Sequence, residues 1–244
     1  MILGRHRHVA SACFDELDAA VEALRPAGSP PIALNAHSFP GALPDDAIVY
    51  NLENVGLQVM PDAFPGHRIW DFSLANTRAW NGRAEHVPVG YHRSMERFTR
   101  RPLSEATCDV VLAGAMNERR TRLVRELEGR GLVVVVLSHH APLYGQARDE
   151  ILARAKLALN VRYFEGGLFP TLRAAHCVAN RVPVLSETAV DMPAWSVLEA
   201  HYDDLVTAAV ALLSDPARLE VAAAHAYNAF RDHPMRLGAL RAPA

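Results

Sequence analysis

The side chains able to do chemistry gather just beyond the apolar runs. In KLALNVRYFEGGLFPTLR an apolar strand ends at Asn160, and a loop follows with Tyr163, Glu165, Gly166 and Gly167. A helix then starts near Pro170, with Arg173 close to its beginning. Open parallel sheets place ligands beyond the carboxyl ends of their strands. Two glycines there let backbone amides come close to a ligand while Glu165 takes hydroxyl groups; a plain turn with a solvated acid is the competing reading. In VVLAGAMNERR a buried strand ends, Gly114 permits a tight turn, and a helix starts around Asn117 with Arg119 and Arg120 in its first turn. Amides at a helix start bind anions, and the two arginines can pair with a diphosphate. Arginine at that end opposes the helix dipole, so it needs another reason to be there; a solvated pair is the competing reading. Lys156, the only lysine in the chain, precedes the strand LALN. It reads either as a second cation for the diphosphate or as the exposed end of a helix.

In the first half the pointed segment is IVYNLENV, where Tyr50, Asn51, Glu53 and Asn54 follow a buried strand. His37 in LNAHS and Asp71 in IWDFS occupy comparable strand ends. A general base for an acceptor hydroxyl would come from Glu53, His37 or Asp71, and each could equally cap a loop. His139 or Tyr144 could stack on a base, or the histidines could be a polar strand end. Arg93, Arg97, Arg100 and Arg101, then Arg119, Arg120, Arg122 and Arg125, make the middle of the chain basic. A solvated helix face explains part of this, and a nucleic-acid partner would explain it too. There is no GxGxxG, no P-loop, no HExxH and no Asp-x-Asp, so neither a dinucleotide fingerprint nor a metal motif is present. No cofactor is expected. Cys13, Cys108 and Cys177 lack CxxC spacing and read as reduced structural thiols.

The elements that must position these groups follow from texture. The chain has 244 residues, half of them hydrophobic, 21% charged, with a formal net charge of −2. That is ordinary globular composition without the basic excess that marks a polyanion binder. No apolar run is long enough to span a membrane, and the start lacks a secretory h-region, so a cytoplasmic location is expected. Short strands alternate with helices from Ser11 onward: PIALN, Ala47 to Asn51, RIWDFS, a helix from Leu74 to Trp80, and AEHVPVGY. After Arg101 the strands CDVVLA, GLVVVVL, LALNV and VPVLS alternate with helices, and two helices close the chain. Continuous apolar strands separated by helices predict parallel sheets covered on both faces. The expected architecture is therefore α/β with two Rossmann-like domains, residues 1–105 and 106–244, and a central cleft.

From Cys108 to Phe230 the sequence resembles the nucleotide-sugar half of GT-B glycosyltransferases, especially group-1-like and CgeB-like members. The resemblance rests on EGGLFPTLRAAHCVANRVPVLSE, where the family has a Gly-containing acidic loop and helix before a strand of the form GxPVxxxE; here the segment from Asn180, NRVPVLSE, lacks that glycine. The YNLE, WDFS and VPVGY segments add to it, and phage-encoded DNA-base glycosyltransferases are among the relatives it brings in. It implies that Gly114, Asn117, Arg119, Arg120, Lys156, Asn160, Tyr163, Gly166, Gly167 and Arg173 bind a nucleotide-diphosphate sugar as co-substrate. It also implies metal-independent transfer to an acceptor hydroxyl, with Glu165, Glu53, His37 and Asp71 as catalytic candidates. Retaining members carry two glutamates eight positions apart; here Arg173 stands eight after Glu165 and would meet phosphate instead. The acceptor stays open between a hydroxymethylated pyrimidine in DNA and an envelope glycan. An epimerase and a non-catalytic nucleotide-binding scaffold are the rival functions. At this length both halves must be near minimal, leaving the acceptor side open or completed by a second subunit.

Overall fold

The computed structural model describes residues 2–3, 15–38, 42–138, 145–195 and 197–240. The chain divides into two compact units, residues 1–90 with 235–244, and residues 91–234. The division falls earlier than the expected 105/106, and the reason is local. Asn180 accepts hydrogen bonds from the backbone N–H groups of Arg97 (2.6 Å) and Phe98 (3.0 Å). Tyr227 donates to Glu96 (2.5 Å), so the segment after Gly90 is tied to helices of the second unit.

The first unit holds β1 (Ile2–Leu3), β2 (Ile32–Leu34), β3 (Ile48–Asn51), β4 (Arg68–Asp71) and β5 (Ala84–His86), side by side in chain order and all parallel. Helix α1 (Asp15–Leu24) lies between β1 and β2 in sequence, and α2 (Leu74–Ala79) between β4 and β5. The unbroken apolar strands have the cause expected of them, burial on both faces. Ala33, Val49 and Ile69 pack with Trp80 and Val59. Tyr50 and Trp70, their neighbours along the strands, point to the other face and meet edge to face at 6.0 Å. There Gly238 lies so close that a Cβ would sit 2.6 Å from the Trp70 Nε1.

The second unit holds β6 (Cys108–Ala113), β7 (Val134–Leu137), β8 (Ala155–Asn160), β9 (Val184–Glu187) and β10 (Leu198–Ala200), again all parallel. Their spatial order is β7-β6-β8-β9-β10. The chain steps from β6 to one side, crosses back, and continues outward from β8, so the strand order reverses between β6 and β8. In open α/β sheets that reversal opens a crevice at the carboxyl ends, where ligands bind. Helix α3 (Glu118–Gly129) follows β6, α4 (Gly145–Ala153) follows β7, and α5 (Thr171–Ala179) follows β8. Helices α6 (Leu205–Leu213) and α7 (Pro216–Arg231) close the unit. Val110 and Leu112 of β6, Leu157 and Leu159 of β8 and Leu185 of β9 pack against α3 and α6 in one buried cluster.

The short strands β1 and β10 were not anticipated. β10 is an edge strand of three half-exposed or exposed residues, too brief to show a period. Cys108 and Cys177 are buried free thiols, as read; Cys13, His139 and Tyr144 lie outside the described residues. No helix among the described residues is long and apolar enough to cross a membrane.

Candidate functional site

The crevice between the carboxyl ends of β6 and β8 is lined by arginine. Gly114, the first residue after β6, adopts φ +120°, a conformation that L side chains rarely take. A Cβ there would lie 2.7 Å from the Arg173 guanidinium and 2.9 Å from that of Arg120. The missing side chain is thus what admits both. Arg120 donates to the carbonyl of Ala115 (2.6 Å) and to that of Val161, the residue after β8. Arg173 donates to the carbonyls of Ala113 and Val161. Two cations therefore bridge the switch point on backbone oxygens. Arg120 is 2% exposed, and its Nε is buried without a partner. Burial, then the charge of Arg173, pushes its pKa down to about 8, which measures how poorly its charge is compensated.

The neighbouring arginine is different. Arg119 donates to both carboxylate oxygens of Glu187, at the end of β9, and its guanidinium stacks 3.8 Å from the centre of the Tyr202 ring. Arg162 also donates to Glu187, through its side chain and its backbone N–H (3.2 Å). The expectation that Arg119 and Arg120 act alike is thereby corrected. One is committed to a buried carboxylate and the other faces the crevice, because consecutive residues on a helix point about 100° apart. Glu187 and Arg162 escaped the sequence reading. Their signal was a strand-terminal acid in VPVLSE, whose partners only the fold brings together.

Asn117 caps α3, accepting from the Arg120 N–H (3.0 Å), and donates to the Tyr163 carbonyl (2.7 Å). It joins the helix to the loop rather than offering its amide to a ligand. Tyr163 is 39% exposed and lies within 5.5 Å of the Arg120 guanidinium. Glu165 and Gly166 are exposed, and Gly166 turns the loop with φ +71°. Gly167 is buried, its N–H bonded to Phe164 (3.2 Å). Asn160 is a buried strand-end group whose amide donates to Ser186 (3.2 Å) and whose Oδ1 is without a hydrogen-bond partner. Lys156 lies inside β8 beside its amino end, paired with Asp109 at 2.7 Å. It lies five positions before Val161, roughly 16 Å along the strand. Its place beside the donor loop is thus corrected: Lys156 is at the amino end of β8, and the loop leaves from the carboxyl end.

In the first unit Asp71 is fully buried. Its carboxylate accepts from Asn51 (2.7 Å), Trp80 (2.7 Å), Asn76 (3.0 Å) and the Ser73 N–H (2.9 Å). Four donors saturate it, which removes it as a proton acceptor for a substrate and corrects the catalytic expectation. Burial raises its pKa, against those hydrogen bonds. The same amides of Asn51 (2.9 Å) and Asn76 (2.7 Å) donate to the Glu53 carbonyl, so Asp71 fixes the loop that carries Glu53. Glu53 is half-buried, and His37 is exposed in a one-turn 3-10 helix after β2.

No family model matches the chain. Two uncharacterised proteins of Acanthamoeba polyphaga mimivirus are similar to it. L140 is 26% identical over 157 residues, 60% of this chain and 51% of that protein. L138 is 23% identical over 146 residues, 56% of this chain and 16% of that protein. The matched stretch thus spans about half of the one and a sixth of the other. Among solved structures, TarM is similar at 10% identity, with a TM-score of 0.53, over 92% of this chain and 55% of TarM. A mutant of S. aureus TarM, solved in complex with fondaparinux, alpha-GlcNAc-glycerol and UDP, gives 0.54 over the same shares. At that identity the likeness speaks for fold alone: the chain is an α/β protein of two Rossmann-like units, each built on an all-parallel sheet.

Proposed function

We propose that the unit of residues 91–234 binds a nucleotide-diphosphate sugar and that the protein transfers the sugar to an acceptor hydroxyl. The carrying observation is the buried Arg120 beside Arg173 at the β6/β8 switch point, resting on backbone carbonyls. A diphosphate would take both guanidiniums and relieve their mutual repulsion. In the transfer, the acceptor oxygen attacks the anomeric carbon and the carbon–oxygen bond to the diphosphate breaks. The electron pair leaves with the diphosphate, where fixed positive charge in a dry crevice is most effective. No metal is required by this reading. Glu165, in the loop after β8, would hold sugar hydroxyls, and Glu53 is the acceptor-side carboxylate that would take the acceptor hydroxyl's proton. The fold shared with TarM, a GT-B-like glycosyltransferase whose mutant was solved with UDP, supports it.

Thermal-shift measurements against UDP- and GDP-sugars test the donor site, with Arg120→Ala as control. Stabilisation of the wild type that the variant loses is expected; no stabilisation by any nucleotide sugar refutes the reading. Donor hydrolysis, compared with Glu165→Ala, then separates transferase from scaffold. Stabilisation without turnover favours the non-catalytic reading, to which the sealing of Asp71 lends weight. For the acceptor we propose a hydroxymethylated pyrimidine in DNA as the first candidate and an envelope glycan as the second. Salt-dependent retention on duplex DNA is expected for the first, and no retention at low salt removes it.

A further inference from the structure

Four guanidiniums gather around the carboxyl ends of β6, β8 and β9, and one buried carboxylate treats them unequally. Arg119 and Arg162 both donate to Glu187, which is 1% exposed. Arg120 and Arg173 rest on carbonyl oxygens. The groups sense one another: Arg173 and Arg119 disfavour the charge on Arg120, and Glu187 favours it. Arg119 is in addition fixed through Tyr202, which donates to its carbonyl (2.7 Å). A buried ion triad of this kind costs desolvation that an apolar trio would avoid, so stability alone is a poor reason for it.

We infer that Glu187 sets the charge of the ligand that this crevice accepts. By occupying Arg119 and Arg162 it leaves the pair Arg120 and Arg173, matched to a diphosphate, and it opposes the entry of more highly charged phosphates. The inference rests on the diphosphate reading above and names the residue that gives it specificity. The need is chemical. A nucleoside triphosphate presents the same base and ribose as a nucleotide sugar and carries an extra phosphate in place of the sugar, so at the phosphates charge is the distinguishing feature, and selection needs a repulsive element as well as an attractive one. Without Glu187, two further guanidiniums would stand uncompensated and draw in the extra phosphate.

Calorimetric titration with inorganic pyrophosphate and tripolyphosphate tests this without depending on the base. The wild type should bind pyrophosphate at least as tightly as tripolyphosphate. In Glu187→Gln the ratio should swing about tenfold toward tripolyphosphate, the size expected of one unit charge at such range. Glu187→Asp, which keeps the charge, should keep the wild-type ratio. If Glu187→Gln does not fold, Arg162→Gln carries the test, since one cation fewer should swing the ratio the other way. A wild type that already prefers tripolyphosphate tenfold, or variants whose ratio does not move, overturn the inference and leave the diphosphate reading standing. A wild type that binds neither phosphate nor any nucleotide sugar overturns both.

Discussion

At Gly114 the absence of a side chain does the positioning. The glycine has φ +120° and lies under two guanidiniums. Gly114→Ala should therefore both strain the turn and push Arg120 and Arg173 off the strand ends. We expect a loss of about 1–2 kcal/mol in stability and a weakening of nucleotide-sugar binding by at least about tenfold, read from chemical denaturation and calorimetry. Binding at wild-type strength would show that the arginines do not meet the ligand. Asp71 makes the complementary case. Asp71→Asn turns an amide N–H toward donors that need an acceptor, so the first unit should lose about 1–3 kcal/mol, measured by denaturant titration followed at Trp80. Unchanged stability would contradict the saturated arrangement. Such single-residue roles were only half legible. The sequence placed two arginines at a helix start and flagged that they oppose the dipole. It could not say which meets Glu187, because that carboxylate arrives from 68 positions further along.

Elements were more legible than contacts. Continuous apolar runs placed most of β2 to β9, and the 3.6 period placed α1 to α7, near their observed positions, since those strands are buried on both faces and the helices on one. What periodicity does not carry is which end of a strand a residue occupies relative to a loop elsewhere. Lys156 shows this: close in sequence to the donor loop, it sits at the amino end of the central strand β8, away from the carboxyl ends. Lys156→Met should leave nucleotide-sugar binding unchanged and shift stability by less than about 1 kcal/mol, the range of a part-exposed ion pair. A fall in affinity would restore its sequence-level role. Asn117 is the opposite case, a ligand candidate by position that turns out to be the cap of α3 and the tether of Tyr163. Asn117→Ala should cost about 1 kcal/mol in stability. It should also weaken donor binding less than Arg120→Ala does, since it frees the loop without removing a charge. The two variants compared in one calorimetric series decide this.

At the scale of the molecule, the two units carry opposite electrostatic liabilities. In the second unit burial alone would raise the pKa values of Glu187 and Asp149. The arginines around Glu187, and His176 and Arg148 around Asp149, outweigh burial and hold both below the ordinary carboxylate range. A carboxylate with a depressed folded pKa stabilises the fold above its unfolded pKa, and that stability is lost as the pH falls through the folded value. In the first unit Asp71 is shifted the other way, raised by burial with no cation beside it among its hydrogen-bond partners. Folded, it takes up a proton more readily than unfolded, so its contribution grows as the pH falls through the raised value. Acidification below about 4, the ordinary carboxylate range, should therefore weaken residues 91–234 before residues 1–90. Hydrogen exchange resolved by peptide is the measurement, because two units of unequal stability give no single unfolding free energy. Amides of β6, β8 and β9 should lose protection at a higher pH than those of β3 and β4. Glu187→Gln should flatten the acid limb of the second unit only. Earlier loss in β3 and β4 would contradict both the raised pKa of Asp71 and the lowered values of Glu187 and Asp149.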